Sequence, residues 1–590
     1  MAPIPVERCI GAAEVGEPRL LADGRHLVHV RSDAAGTVLV RTDLLDGTAT
    51  VIRPECGLRP GRGLGGGAWC PLPDGRLIVV GADAELWLLH SDGSATRLTD
   101  HGPDLAVTAP SVGIDGVHLV YCVEQSQVWS LHLGAGSHRR VDGGSADFVF
   151  DPAVHDGEIR WQEWSVPSMP WDDSRIGRAT STETLPSITT GGAVQQVRPD
   201  RTGRWWWVCD RDGWLNLKCD GDAVVPEHHE HAGPTWGQGQ RSYAVSPDGR
   251  SVAFTRNERG FGRLCVADLV TGSLDEVARG VHGQLSWEGD RIAAIRTGAR
   301  TPTQIVVYDT STWERTVVEQ GPTSEWSSDE LVEPELVEHL ASDGTVLHAR
   351  LYRSDDHRGG RLLVWVHGGP TDQWQVTFIP RLAYWCSRGW NVLVPDHRGS
   401  TGHGRAYQQA LRDRWGELDV ADVVAATVLA HEHGWGDPTA TVVIGGSAGG
   451  FTALGVVASA PDLFAATVVA YPVTDLVDLA ERSHRFERHY TDSLVGPLPE
   501  AADRYRERSP VQFADRLAAV PMLVLHGDLD PVVPLDQSRT LVERLHAHGG
   551  DATLHVYEGE GHGFRQPTNQ ADEYRRIEAF LDRHVPRPSR

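Results

Sequence analysis

The sequence predicts two domains: a seven-bladed β-propeller over residues 1–330, then a doubly wound, mostly parallel α/β domain over residues 331–590. Three observations carry this. Turn glycines recur at a steady period in the first half. Continuous apolar runs alternate with helical patterns in the second. A Gly-Gly-Ser-Ala-Gly turn then joins a strand to a helix at 445–449.

In the first half, short Val/Leu/Trp-rich runs are closed by tight turns, as in LADGRHLVHV (21–30), LPDGRLIVV (72–80) and SPDGRSVAFTR (246–256). The turn glycines stand at 24, 75, 116, 157, 203, 249 and 289, with spacings of 51, 41, 41, 46, 46 and 40 residues. That is the length of a four-stranded propeller blade, repeated seven times. Most of these turns are Asp-Gly, which accepts the positive φ a tight hairpin needs. A β-sandwich would show one set of strands and no such repeat.

The pattern changes over 331–350, which reads as a hinge followed by a first hairpin. Beyond it, LLVWVH (362–367), NVLVP (391–395), TVVIG (441–445), ATVVA (466–470) and MLVLH (522–526) are apolar without alternation, the signature of parallel strands buried on both faces. Helical patterns at 420–433 and 448–460 lie between them, and a last helix is expected around 570–583.

Composition narrows the function. The 590 residues are 40% apolar and 23% charged, a globular balance. A net charge of −25 argues against nucleic acid and anionic membranes as partners. The eight cysteines, at 9, 56, 70, 122, 209, 219, 265 and 386, form no CxxC pair and no metal-ligand spacing, so no metal is expected and reduced thiols are. The N-terminus lacks a basic and apolar leader, and no run of 18 apolar residues exists. The expectation is a cytoplasmic protein. Homo-oligomerisation is left open.

Gly445-Gly446-Ser447-Ala448-Gly449 is a G-x-S-x-G nucleophile elbow in the right setting, with a strand before it and a small-residue helix after it. A serine hydroxyl is a weak nucleophile until a base takes its proton. In this fold the acid and then the histidine follow the serine along the chain. Strand 522–526 runs into HGDLDPVVP, which offers Asp528 and Asp530, and spacing alone does not choose between them. His562 lies in the later loop GEGHGF. Ser447 as nucleophile, His562 as base and then acid, and an aspartate orienting the ring make up the expected triad. The oxyanion donors are expected to be the amides of Ala448 and of Gly369, in the loop His367-Gly368-Gly369-Pro370 after strand 362–366.

These residues resemble the prolyl oligopeptidase family of serine peptidases, especially its bacterial branch similar to acylaminoacyl-peptidases and dipeptidyl-aminopeptidases. The matching stretches are HGGP (367–370), DHRGSTGHG (396–404), WGELDVAD (415–422), GGSAGG (445–450), HGDLDPVVP (526–534) and GHGF (561–564). Weaker matches are GGGAW (65–69), WSVPSMPWD (164–172) and DRDGWLNL (210–217). The resemblance implies a propeller capping an α/β-hydrolase domain, an active site in the cavity between them, substrates limited in size, no cofactor, and Asp530 as the triad acid. Many relatives carry an arginine two residues after that aspartate to hold a substrate carbonyl; here the position is Val532. Relatives with a tyrosine oxyanion donor carry it where this chain has His367, so that type of hole is not expected.

Tyr471, Val473, Phe486 and Tyr490, after strand 466–470, are candidate walls of a side-chain pocket. Glu163 is a candidate acid for a free substrate amine, with Asp172 and Asp173 as rivals; a solvated blade loop is the competing reading. Gly61, Gly63 and Gly66 spell GxGxxG, but no βαβ unit surrounds them, so no dinucleotide site is inferred. His228, His229 and His231 read as a solvated loop, and Trp205–Trp207 as packing between blades.

The leading expectation is a serine peptidase that cleaves amides near the N-terminus of short peptides through an acyl-enzyme. A hydrolase of small aminoacyl amides or esters, such as a metabolite or antibiotic, is the alternative, mildly favoured by Val532. An inactive propeller interaction protein is a third reading, which the complete triad opposes.

Overall fold

Seven four-stranded antiparallel sheets follow one another in the computed structural model, which describes residues 2–11, 13–33, 35–59, 66–321, 326–355 and 360–585. Each sheet uses four consecutive strands; the blades cover 14–52, 69–97, 107–140, 148–189, 194–223, 243–279 and 281–320. All seven turn glycines join the first and second strands of their blades, and all have positive φ, from 57° to 91°. The repeat is therefore one hairpin reused seven times. The fourth strands are largely exposed, from Ala49–Ile52 to Arg315–Gln320, and form the outer edges.

Packing between the last and first blades closes the ring. Leu20 N donates to Ser286 Oγ at 3.0 Å. Val15, Leu20 and Leu27 share a core with Ala293, Ile295, Ile305 and Val307. The connection between blades five and six crosses the middle of the ring. Gly66 N donates to the Gln238 carbonyl (2.9 Å), and Gln238 Nε2 donates to Thr108 Oγ1 (2.9 Å). Gly239 N donates to Asp151 Oδ1 (2.6 Å), and Gln284 Nε2 donates to the Gly239 carbonyl (2.8 Å). A Cβ on Gly239 would lie 2.2 Å from the Gly66 carbonyl carbon, so the crossing admits glycine alone.

One detail of the propeller differs from expectation. His231 is fully buried, with Nε2 2.8 Å from Glu227, and is not part of a solvated loop. Gly61, Gly63 and Gly65, from the glycine-rich stretch, lie outside the described residues. Trp205, Trp206 and Trp207 are buried.

The second unit holds an eight-stranded sheet. Its strands are β1 (Glu335–Leu340), β2 (Val346–Tyr352), β3 (Leu362–Val366), β4 (Asn391–Asp396), β5 (Thr441–Gly446), β6 (Ala466–Ala470), β7 (Met522–Gly527) and β8 (Ala552–Tyr557). Their order is β1-β2-β4-β3-β5-β6-β7-β8, antiparallel through β4 and parallel from there on. This is the α/β-hydrolase arrangement.

The apolar runs are buried on both faces because each face is covered. Val364, Val366, Val443, Val469 and Val524 pack under helices α2 (Leu418–Glu432), α3 (Ala448–Ser459) and α4 (Leu535–Ala547). Leu363, Trp365, Val442, Ile444, Val468 and Leu525 pack on the other side, under α1 (Pro380–Cys386) and α5 (Pro567–His584). Burial of such side chains stabilises by roughly 1.5–3 kcal/mol each. No helix among the described residues is long and apolar enough to cross a membrane.

The division of the chain is less simple than 1–330 and 331–590. The hydrolase unit comprises Met1–Gly11, Ser324–Trp374 and Ile379–Arg590; the propeller unit comprises Ala12–Thr323 and Gln375–Phe378. The N-terminal segment joins the hydrolase because Val6 enters its core and Ile4 N donates to Ser387 Oγ at 3.0 Å. In the propeller unit, Val376 N donates to the Gly260 carbonyl (2.8 Å) and Phe378 N to Thr297 Oγ1 (2.9 Å).

Candidate active site

Ser447 stands between β5 and α3 at φ 55°, ψ −126°, a conformation that a residue with a Cβ adopts only under constraint. Crowding supplies the constraint. A Cβ on Gly445 would lie 2.2 Å from the Gly449 carbonyl oxygen, one on Gly449 2.4 Å from that of Val366, and one on Gly450 2.8 Å from Pro472 Cβ. The glycines let strand, helix and neighbouring loops approach until the serine is pushed out of the sheet. Asp419, from WGELD, ties α3 to α2: it accepts from Thr452 Oγ1 (2.6 Å) and from Gly416 N (2.7 Å).

The HGGP loop leaves β3 alongside the serine. A Cβ on Gly368 would lie 3.7 Å from Ser447 Cβ. His367 is fully buried; its Nδ1–H donates to the Gly368 carbonyl and its Nε2 accepts from Ser400 Oγ, both at 2.7 Å. Burial first, and then the neighbouring His397, push its pKa down to about 3, so it is a neutral strut for the loop. Among the described residues, no protein acceptor takes the amide hydrogens of Gly368, Gly369 or Ala448. Unspent amides beside a nucleophile are what an oxyanion requires.

The expected acid and base, Asp530 and His562, come from the ends of β7 and β8. Asp530 Oδ2 accepts from His562 Nδ1 at 2.7 Å, and Oδ1 accepts the amides of Val532 (2.8 Å) and Val533 (2.9 Å). Burial alone would raise this carboxyl's pKa, but the hydrogen bond and charge of His562 and the two amides hold it below the usual value. A carboxylate only accepts, so the proton sits on Nδ1 and Nε2 carries the lone pair. Asp528 is exposed and accepts Gly559 N (2.7 Å), which fastens the histidine loop to β7. Leu529 N donates to the Glu560 carbonyl (2.9 Å).

Ser447 Oγ and His562 are not hydrogen-bonded in this structure. Tyr471 fills the space beside both: a Cβ on Gly446 would lie 3.1 Å from its ring, and its ring centroid is 4.6 Å from that of His562. Such contacts commonly tighten only when substrate binds.

The expected pocket residues divide. Tyr471 lies at the elbow and Phe486 is half-buried between short helices Leu476–Arg482 and Tyr490–Leu494. Val473, only 3% exposed, is packed beneath the elbow, with its amide on the Ser447 carbonyl (3.4 Å), and does not wall an open pocket. Tyr490 is a brace: its hydroxyl donates to Thr371 Oγ1 (2.6 Å) and accepts Thr371 N (3.2 Å), just beyond Pro370. Val532 is half-buried and brings no polar group.

Glu163 is not an amine anchor. It is buried in the fourth blade and accepts from Trp161 Nε1 (2.8 Å), Arg175 Nε (2.7 Å) and Ser187 Oγ (2.6 Å). Neither is it part of a solvated loop: Trp161 shares its strand (Glu158–Trp164), Arg175 and Ser187 lie on the next two (Arg175–Thr180 and Thr184–Thr189), and the carboxylate ties the three strands together. Asp172 is buried and accepts Met169 N (3.2 Å), while Asp173 is exposed.

Two supports went unassigned from sequence. His526, fully buried, sits 2.7 Å from Ser538 Oγ and 2.9 Å from the Val533 carbonyl, holding the aspartate loop. Glu560 accepts Arg565 N, Gln566 N and Asn569 Nδ2, all at 2.9 Å, folding the loop that presents His562. Both lie inside motifs already noted, HGDLD and GEGHGF. A polar residue within a catalytic motif was the available signal.

Comparison with known proteins agrees with this fold. A model of the prolyl oligopeptidase family matches residues 376–587. A puromycin-hydrolysing peptidase from Mycobacterium tuberculosis is 26% identical, with a TM-score of 0.90 covering 100% of this chain and 97% of that one. A puromycin hydrolase is 28% identical, with a TM-score of 0.87 covering 99% and 96%. Among curated relatives, dipeptidyl peptidase family member 6 of Caenorhabditis elegans is 30% identical over 227 residues, which are 38% of this chain and 30% of that protein. The match thus spans less than a third of that relative's length. Residues 376–587 thus form a domain of the prolyl oligopeptidase family.

Proposed function

We propose that this protein hydrolyses amide bonds near the N-terminus of short peptides through an acyl-enzyme on Ser447. His562 Nε2 takes the serine proton as Oγ attacks the carbonyl, then returns it to the leaving amine. Asp530 keeps the imidazole in the required tautomer and stabilises its charged form. The amides of Gly369 and Ala448 receive the negative charge on the carbonyl oxygen. Water, activated by the same histidine, releases the acyl group. The observation that supports this reading most directly is the 2.7 Å His562–Asp530 hydrogen bond, with Tyr471 packed against both the histidine and the serine's elbow.

Val532 favours a second reading, a small aminoacyl amide as substrate, because the side chain many relatives use to grip an extended peptide is apolar here. The two puromycin-hydrolysing neighbours point the same way. One screen separates the readings: aminoacyl, dipeptidyl and N-acyl-aminoacyl arylamides, with puromycin, against wild type and Ser447→Ala. Cleavage that grows with peptide length supports the peptidase; cleavage of single aminoacyl amides alone supports the second. Ser447→Ala is expected to keep its fold and lose at least ~10³-fold in kcat. Near-normal turnover by the pure variant would overturn the nucleophile assignment. Failure of a fluorophosphonate to label Ser447 would favour the inactive interaction protein.

A further inference from the structure

Asp372 lies three residues beyond Gly369, on the same loop. A Cβ on Gly369 would stand 3.1 Å from Asp372 Cβ, so the acid folds back over the glycine whose amide is the proposed oxyanion donor. One carboxylate oxygen, Oδ1, accepts Gln373 N at 2.8 Å. No arginine, lysine or histidine pairs with Asp372 among the described residues, although most acids around it are paired. Asp396, the nearest acid acting on it, is already saturated by Arg350 (2.6 Å), Gln373 Nε2 (2.8 Å) and His403 (2.8 Å). Asp372 is partly exposed, and its loop is braced by the Tyr490 hydroxyl through Thr371.

The pKa of this carboxyl is raised to about 6, by burial first, against the Gln373 amide, and then by the charge of Asp396. Such a group gains by meeting a cation. The described residues hold no cluster of His, Cys, Asp or Glu that would bind a metal there. A substrate that carries a cation would supply such a partner. In an aminoacyl amide the α-amine is attached to the carbon next to the reacting carbonyl. If that carbonyl oxygen sits on the Gly369 amide, an acid on the same loop is placed to meet the amine.

We propose that Asp372 binds the free α-ammonium group of the substrate's first residue, which makes it the determinant of N-terminal specificity. The assignment rests on the amide-hydrolase reading above, and the test keeps the two apart. The kinetics of wild type, Asp372→Asn and Asp372→Glu would be measured on phenylalanyl arylamide and on its N-acetyl form. On the free amine, Asp372→Asn should raise KM and lower kcat/KM on the order of 10–100-fold, with kcat falling less. The loss on the N-acetyl substrate should be at least about tenfold smaller, and Asp372→Glu should recover part of the lost affinity. Equal losses on both substrates, or no loss on either, overturn the assignment while leaving Ser447-dependent hydrolysis standing. Absence of Ser447-dependent turnover by wild type defeats the hydrolase reading and the amine assignment together.

Discussion

At the scale of single residues, polar side chains set the direction of the chemistry by being committed elsewhere. Asp530 spends one oxygen on two backbone amides and the other on His562, so the ring turns its basic nitrogen outward. Tyr490 works the same way beside the proposed oxyanion loop, where one hydroxyl holds the amide and the hydroxyl of Thr371. Removing that hydroxyl loosens a loop whose amides must be in place before charge develops. Tyr490→Phe is therefore expected to lower kcat by roughly tenfold with a smaller change in KM. Steady-state kinetics on any cleaved arylamide would check this, and a rise in KM alone would mean that Tyr490 only lines the pocket.

At the scale of elements, the elbow is an exercise in excluding side-chain volume. β5, α3 and the end of β3 approach so closely that a methyl group on Gly445 would meet the Gly449 carbonyl at 2.2 Å. No flexible side chain can move aside there, since the obstacle is backbone. Gly445→Ala should lower the thermal midpoint by several degrees and remove Ser447 labelling, because the turn that lifts the serine cannot close. A variant that keeps normal labelling and midpoint would show that the junction yields. The seven hairpin glycines follow a milder logic: they supply positive φ, and most face open space at the β-carbon position.

At the scale of the molecule, a buried ion pair joins β2 and β4 of the hydrolase unit. Arg350 on β2 and Asp396 on β4 meet through two 2.6 Å hydrogen bonds, and both side chains are fully buried. Burial alone would raise the Asp396 pKa, but the Arg350 charge and the His403 hydrogen bond hold it far below the usual carboxylate range. The folded pKa lies below the unfolded value of about 3.9, so this stabilisation is complete above that value and is lost as pH falls through the acid range. Asp396→Asn leaves Arg350 buried with no anion and should cost about 3–5 kcal/mol near neutral pH. Denaturant midpoints at neutral and acid pH would test this; the gap to wild type should narrow below about pH 4. A gap that widens on acidification would contradict the sign.

The repeat, the strand runs and the loops that carry Ser447, Asp530 and His562 are legible along the chain because each is local. A turn glycine, an apolar run or a G-x-S-x-G needs only its neighbours to be read. The small residues around Ser447 also mark a sharp turn between a strand and a helix; its positive φ is seen only in the folded chain. Only the tertiary structure decided how the polar side chains are spent. Glu163 looked like a free acid, and folding closes it on Trp161, Arg175 and Ser187. Nothing local marks Asp372 in the chain, and among the described residues no cationic side chain pairs with it beside the Gly368-Gly369 loop. Met1–Gly11 read as the start of the propeller, yet Val6 enters the hydrolase core. The physical reason is common to all three: a polar or apolar group's role depends on which partners reach it, and those partners come from segments far away in sequence.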